Sequence, residues 1–239
     1  MDFIICFIDD SDFEHDLVRN EIAPSAPGFT FVQAYTFEEA REVLGDRIPA
    51  LFLLDLWGQD PDVAEPQMTP REELDQRVAG FKTLDSIYEG LDGFEGDSTN
   101  EYLKRFFTIV DNWRNLFEEV CARAGQNRKY GLANLREARE HYPWVPAVFY
   151  TRKSLITDAV AMFGAGGDGL FIKPTGNNDQ ETRILTREYG PALIRELTAI
   201  LDRQAQELNN KEGLIAEEFG NHEPAIQAFL RAWDTFRAH

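Results

Sequence analysis

The chain has 239 residues, of which 43% are hydrophobic, 12% aromatic and 28% charged, and its formal net charge is −18. That length buries a full core as one large domain or two small ones, and 18 Phe, 7 Tyr and 4 Trp exclude a low-complexity disordered chain. So acidic a surface repels phosphate backbones and anionic headgroups, which excludes nucleic acid and the membrane surface from the expected partners.

Phe3-Ile-Ile-Cys-Phe-Ile8 is a continuous apolar run, the mark of a strand buried on both faces. It is the longest purely apolar run and is much too short to span a bilayer. Met1-Asp2 before it lacks the basic start of a signal peptide. Asp9-Asp10-Ser11 suits a helix N-cap, and Phe13, Leu17 and Val18 mark a helix expected to end before Pro24. Phe29 to Tyr35 reads as a second strand. Thr36-Phe-Glu-Glu39 is a capping box for a helix whose buried stripe is Ala40, Val43 and Leu44 and which Gly45 ends. Pro49-Ala-Leu-Phe-Leu-Leu54 is a third buried strand, closed by Asp55.

Between Asp55 and Gly131 lie about 70 residues more than a loop needs. Thr69-Pro-Arg-Glu72 reads as a capping box with Pro at the first helical position. Leu74, Val78, Phe81, Leu84, Tyr88 and Leu91 then recur at helical spacing. Ser98-Thr-Asn-Glu101 opens a long helix with Leu103, Phe106, Val110, Trp113, Phe117, Val120 and Ala124 at strict spacing, ended by Gly125. Two such helices predict an antiparallel hairpin. Pro146-Ala-Val-Phe-Tyr150 and Gly169-Leu-Phe-Ile172 are two further short buried strands. A helical stretch near 180–188 meets a break at Gly190-Pro191, and Leu193, Leu197, Ile200, Leu201 and Leu208 continue as another helix. Ile226, Phe229, Leu230, Trp233 and Phe236 form a last amphipathic helix after Pro224.

Five buried strands separated by helices predict a doubly wound parallel sheet. In such folds ligands sit beyond the carboxyl ends of the strands. There the sequence places Asp9 and Asp10 after the first strand, Asp55 after the third, Thr151 after the fourth and Lys173 after the fifth. Each alone has a structural explanation, as a cap, a turn or a strand exit. Together they gather three carboxylates, a hydroxyl and an ammonium on one edge. Clustered carboxylates repel unless a cation joins them, and oxygen ligands suit Mg²⁺ better than zinc. A metal and a lysine beside a carboxylate make a receptacle for a phosphoryl group. Cys6 and Cys121 form neither a disulfide framework nor a zinc set and suit a reducing compartment, so a cytoplasmic protein is expected. His15, His141, His222 and His239 are scattered and read as surface or packing residues.

The chain resembles the response-regulator receiver domain of two-component signalling. The carrying segments are Phe7-Ile-Asp-Asp-Ser11, Leu53-Leu-Asp-Leu56, Ala147-Val-Phe-Tyr-Thr151 and Ala165-Gly-Gly-Asp-Gly-Leu-Phe-Ile-Lys-Pro174. Gly131-Leu-Ala-Asn-Leu-Arg-Glu-Ala-Arg-Glu140 looks like the family's third helix. The resemblance implies a flavodoxin-like five-stranded sheet of order 2-1-3-4-5, here with an inserted helical hairpin and an extra C-terminal helix. It implies Asp55 as the phospho-acceptor and Mg²⁺ held by Asp9, Asp10, Asp55 and the backbone carbonyl of Trp57. It implies Thr151 and Lys173 as the groups that meet the phosphoryl, and a cis Lys173-Pro174 bond. Removal of Lys173 is expected to leave the fold intact. Departures from the family pattern are Leu170, where an aromatic switch residue is usual, Arg152, where a small residue is usual, and Trp57, two after Asp55.

The expected organisation is a receiver over residues 1–58 and 130–208, an insertion over 59–129 and a helical tail over 209–239. The expected function is a stand-alone receiver, not an enzyme beyond self-phosphorylation and self-dephosphorylation. It would be served by a sensor histidine kinase or phosphotransfer protein and would act on a downstream protein. The alternatives are a phosphorylation-independent scaffold and, more remotely, a Mg²⁺-dependent phosphohydrolase, against which the adjacent Asp9-Asp10 pair counts. A homodimer is expected through the insertion, the tail or both, because both carry apolar stripes.

Overall fold

The computed structural model describes residues 3–60, 62–152 and 156–238. Five strands form one parallel sheet: β1 (Phe3–Ile8), β2 (Phe29–Ala34), β3 (Leu51–Leu54), β4 (Ala147–Thr151) and β5 (Gly169–Ile172), in the order β2-β1-β3-β4-β5. This is the flavodoxin-like order expected from the strand and helix alternation. Strands β1, β3 and β4 have a strand on either side and are almost wholly buried, as their unbroken apolar runs require. β5, expected as a buried strand, is only half-buried and Ile172 is exposed, because an edge strand has one neighbour.

Helix α1 (Asp12–Leu17) is capped by Ser11 and runs on through a wide turn at Val18–Ile22 and a tight one at Ala23–Ser25. It therefore does not stop before Pro24. Pro24 sits in the first turn of the tight segment, where a missing N–H costs little. Helix α2 (Phe37–Leu44) begins at Thr36, whose Oγ1 accepts from the Glu39 amide at 3.2 Å, and ends at Gly45 with φ +57°.

Residues 59–127 are a second compact unit, distinct from the one made of 1–58 and 128–239. The first arm of the expected hairpin is not one helix but two short ones, α3 (Arg71–Ala79) and α4 (Asp85–Tyr88). α3 buries no residue, so nothing offsets the break at Gly80, where the chain turns through Gly80 N–H to Arg77 O at 3.2 Å. Pro70 takes the N-cap position without a side-chain cap, so the Thr69 capping box does not form. The second arm is the long helix α5 (Ser98–Arg123). It is capped one residue earlier than expected, by Asp97 on the Asn100 amide at 3.0 Å, and Gly125 at φ +72° terminates it. Arg105 ties α4 to α5 through the carbonyls of Ile87 (3.0 Å) and Glu89 (2.7 Å).

Helix α6 (Lys129–His141) leads into β4, α7 (Ile156–Gly164) into β5, and α8 (Asp179–Asn210) comes after β5. The break expected at Gly190-Pro191 is absent, and α8 is continuous with Pro191 inside it. Thr186 and Leu193 are buried on either side, and Gly190 lies against the Glu21 carbonyl and Ser25, so packing on both flanks outweighs the one backbone bond that proline removes. The tail forms α9 (Ile215–Phe219) and α10 (Glu223–Arg237). Its apolar stripe is spent inside its own unit. Phe229, Trp233 and Phe236 meet the Phe3 ring at 6.1, 5.0 and 5.4 Å, and Phe236 meets Phe29 at 5.6 Å. That stripe is thus not an open face for a second chain. No helix among the described residues is long and apolar enough to cross a membrane.

Candidate functional site

Register brings the acidic residues together. Ile8 of β1 pairs with Leu54 of β3, so Asp9 and Asp55 leave the sheet side by side. The Asp55 amide bonds Ile8 O at 2.9 Å, and the Asp9 amide bonds Ala34 O at 3.1 Å. On the other side Thr151 pairs with Ile172, and the Lys173 amide extends the ladder to Thr151 O at 2.9 Å. Carboxylate oxygens of Asp9, Asp10 and Asp55 all lie within 4.8 Å of one another.

The Lys173 ammonium stands among them. It bonds Asp9 Oδ2, lies 3.1 Å from Asp55 Oδ1 and 3.7 Å from Glu14 Oε2, and sits over the rings of Phe7 (5.8 Å) and Tyr150 (5.6 Å). Asp9 and Thr151 are 1% exposed, Lys173 3% and Asp55 7%. Burial raises the Asp9 carboxyl to about 7, against the pull of Lys173 and with the help of the Asp55 charge. Burial also raises Asp55, which Lys173 and Thr151 oppose and Asp10 reinforces. Lys173 is moved the other way from a simple buried amine: burial alone would lower it, but Asp55, Asp9 and Glu14 outweigh that and hold it charged. The Thr151 hydroxyl is buried and closes no hydrogen bond of standard length, although it lies near enough to Asp55 to help hold that carboxyl down.

Several supporting residues are not among those the sequence singles out. Glu14, 6% exposed, accepts from Arg152 Nε at 2.6 Å as well as facing Lys173. Its spacing from Leu17, Val18 and Glu21 is helical, and that spacing is the signal that puts it on the buried side of α1. His15 is a packing residue: its Nε2 is 2.8 Å from the Asp9 carbonyl and its ring stacks on Tyr35 at 4.6 Å. His239 lies outside the described residues. Tyr130 covers the acidic group from α6. Burial, then Asp9, Asp10 and Asp55, raise its hydroxyl, which donates to Tyr35 O at 2.6 Å. Its ring occupies the space that a side chain at Gly58 would need, and a Cβ on Gly131 would lie 2.4 Å from the Asp55 carbonyl. These two glycines let α6 rest directly on the backbone around Asp55.

Each of the three positions that depart from the family pattern has a definite place. The Trp57 indole is buried and donates to Asp158 Oδ2 at 3.2 Å, where Asp158 also pairs with Arg128 at 3.0 Å. Arg152 is anchored to Glu14, to Pro174 O (2.7 Å) and to Thr175 Oγ1 (3.0 Å). Leu170 lies half-buried on the edge strand. The Lys173-Pro174 bond is trans rather than cis, with the Pro174 carbonyl held by Arg152.

Sheet order and parallel pairing give the chain a flavodoxin-like fold with a large helical insertion. No protein-family model matches the sequence, and no curated protein matches it. Solved structures similar to it include a CheY-like response regulator receiver domain protein from Methanospirillum hungatei JF-1 (14% identity, 87% of this chain and 99% of that one, TM-score 0.43). Another is the signal receiver domain of a LuxO repressor protein from Vibrio parahaemolyticus (12% identity, 87% and 95%, TM-score 0.45). A third is the Mn²⁺-bound form of the response regulator Rcp1 (13% identity, 78% and 91%, TM-score 0.39).

Proposed function

We propose that the chain is a stand-alone receiver that accepts a phosphoryl group on Asp55 and signals by a change in protein binding. The observation that carries this reading is the Lys173 ammonium held between Asp55 and Asp9 at the strand ends, beside a buried Thr151 hydroxyl with no formed bond. The donor set fits Mg²⁺: three carboxylates within 4.8 Å, oxygen only, with two of them pushed up by burial. Asp9, Asp10, Asp55 and the Trp57 carbonyl would hold the ion, which when bound neutralises charge on the transferring phosphoryl group.

Asp55 attacks phosphorus of a phosphohistidine on a sensor kinase or phosphotransfer protein. The P–N bond breaks, its electron pair returns to the imidazole, and an aspartyl phosphate forms. The Thr151 hydroxyl donates to a phosphoryl oxygen, and Lys173 exchanges part of its pairing with Asp9 for the new charge. In this reading the receiver comprises 1–58 and 130–208, with 59–129 and 209–239 as additions. The chain works in the cytoplasm on a downstream protein, without nucleic acid, and catalyses nothing beyond its own phosphorylation and dephosphorylation.

A second reading, a scaffold that is never phosphorylated, is favoured by Arg152, which fills the place after Thr151 and is anchored on three sides. Intact-mass spectrometry with acetyl phosphate and Mg²⁺ separates the two. The receiver reading expects the mass of one phosphoryl group on the wild type and none on Asp55→Asn. An unmodified wild type, or an equally modified Asp55→Asn, overturns it.

A further inference from the structure

At the end of the sheet opposite the acidic site, a cavity of about 420 Å³ opens between the strands and the tail helix α10. It lies wholly within the unit of residues 1–58 and 128–239. Phe3 and Ile4 reach it from the start of β1, Ala50 from just before β3 and Trp144 from just before β4. Its volume lies in the range of small-molecule sites, about 300–1,000 Å³. The side chains of α10 create the space. Ala225, Ala228 and Ala232 recur at helical spacing beside the stripe of Ile226, Phe229 and Trp233 that the fold buries. Three methyl groups leave open what longer apolar side chains would fill.

The apolar wall carries one unanswered donor. Trp144 is 3% exposed and lines the cavity beside Phe229, with ring centroids 5.5 Å apart. Its backbone carbonyl accepts from Gln204, but its buried indole N–H meets no acceptor among the described residues. The other two buried indoles are paired, Trp57 with Asp158 at 3.2 Å and Trp233 with Asp202 at 3.1 Å. A buried indole N–H ordinarily has a partner. A water against Trp144 would meet that one donor among apolar walls, too few partners to hold it. The charges at the cavity select against an ion. Asp46 and Arg47 are adjacent and opposite in sign, and Arg47 is already turned onto α2, with Nε 3.1 Å from Leu44 O and Nη2 2.6 Å from Val43 O. We propose that this cavity binds a small, neutral, apolar molecule with one hydrogen-bond acceptor, such as a carbonyl, that takes the Trp144 indole N–H.

The experiment applies an isosteric pair to the full chain: 2-acetylnaphthalene, which carries a carbonyl, and 2-isopropenylnaphthalene, which has a terminal alkene in its place. Binding is followed in ¹H–¹⁵N spectra, where Trp144→Phe identifies the Trp144 indole peak by its loss. The ketone is expected to bind about tenfold tighter than the alkene and to move the Trp144 indole proton downfield. In Trp144→Phe the two bind alike. Ala228→Leu, at an exposed position of α10, fills the cavity and abolishes binding of both. Circular dichroism confirms that each variant keeps its helix content, and the wild-type comparison needs no substitution at all. Failure of both probes to bind, or binding that Ala228→Leu leaves unchanged, overturns the site. Equal affinities of ketone and alkene for the wild type, with the indole peak unmoved, overturn the ligand class.

Discussion

The two compact units spend their apolar side chains differently. In the unit of residues 1–58 and 128–239, β1, β3 and β4 bury nearly every side chain, and the tail helix α10 buries Ile226, Phe229, Leu230 and Trp233 as well. In the unit of residues 59–127, α3 buries nothing and α5 buries one seam while leaving the other half-exposed. A parallel sheet flanked by helices offers every strand two apolar partners, whereas a long helix beside two short ones offers one. Polar burial differs in the same way. The sheet edge holds Asp9, Asp55, Thr151 and Lys173 nearly without solvent, so their charges and hydroxyl must be satisfied by one another.

This contrast is broken most directly at its largest side chains. Trp233→Ala removes a ring 2% exposed that packs on Phe3 and donates to Asp202 at 3.1 Å. It is expected to cost about 3–5 kcal/mol by urea unfolding. Trp113→Ala, at 51% exposure, is expected to cost about 1 kcal/mol or less in the monomer. Equal losses would show that the second unit has as deep a core as the first.

Lys173→Ala tests the polar side of the contrast. Sequence alone leads one to expect an intact, merely uncoupled fold. Burial at 3% exposure against Asp9, Asp55 and Glu14 changes that, because removing the ammonium strands buried carboxylates. A loss of about 3–5 kcal/mol at neutral pH is expected, recovered in part at lower pH as the carboxyls protonate. A variant as stable as wild type at pH 8 would mean that the carboxylates are better solvated than their burial indicates.

The same site gives the pH dependence. The folded Asp9 carboxyl is raised to about 7, whereas an unfolded one titrates near 4. Between these values the folded state holds more protons than the unfolded state, so stability falls as pH rises through the window. Lys173, raised in the fold, loses its contribution only in strong alkali and does not oppose this. In chelator, the urea midpoint is expected to be lower at pH 8 than at pH 5.5. Millimolar Mg²⁺ raises it at pH 8 more than at pH 5.5, because the cation competes with the proton. Asp9→Asn flattens the profile, and a wild-type midpoint that rises with pH would contradict the assignment.

Most of the sheet and all five strand-end residues are legible in the sequence. Unbroken runs such as Phe3–Ile8 have one meaning in a chain that alternates them with helices, and register then places the polar residues at their ends. Sequence and structure part where local rules meet packing. Gly190-Pro191 reads as a stop, but burial on both flanks carries α8 through it. The Leu74–Leu91 spacing reads as a helix, yet without a buried face it breaks at Gly80. The pairing of Glu14 with Arg152 is hidden because a charged pair at the site leaves no periodic signal, only the fact that Glu14 shares the buried side of α1.

The smallest expected effect sharpens the contrast between the units most finely. Each has a helix whose first turn depends on one side chain: Thr36 on the Glu39 amide at 3.2 Å for α2, and Asp97 on the Asn100 amide at 3.0 Å for α5. Replacement of either by alanine removes one capping bond, worth about 1 kcal/mol. α2 buries Phe37, Ala40 and Leu44 in the sheet unit, so Thr36→Ala lowers amide protection across β1, β3 and β4 by that amount. α5 belongs to a unit with a thin core of its own, so Asp97→Ala lowers protection within α5 and leaves the slowest-exchanging strand amides unchanged. Hydrogen exchange followed by mass spectrometry reads both. If Asp97→Ala accelerates exchange in β1 and β3 as much as in α5, the two units open as one, and the difference in burial between them carries no difference in local stability.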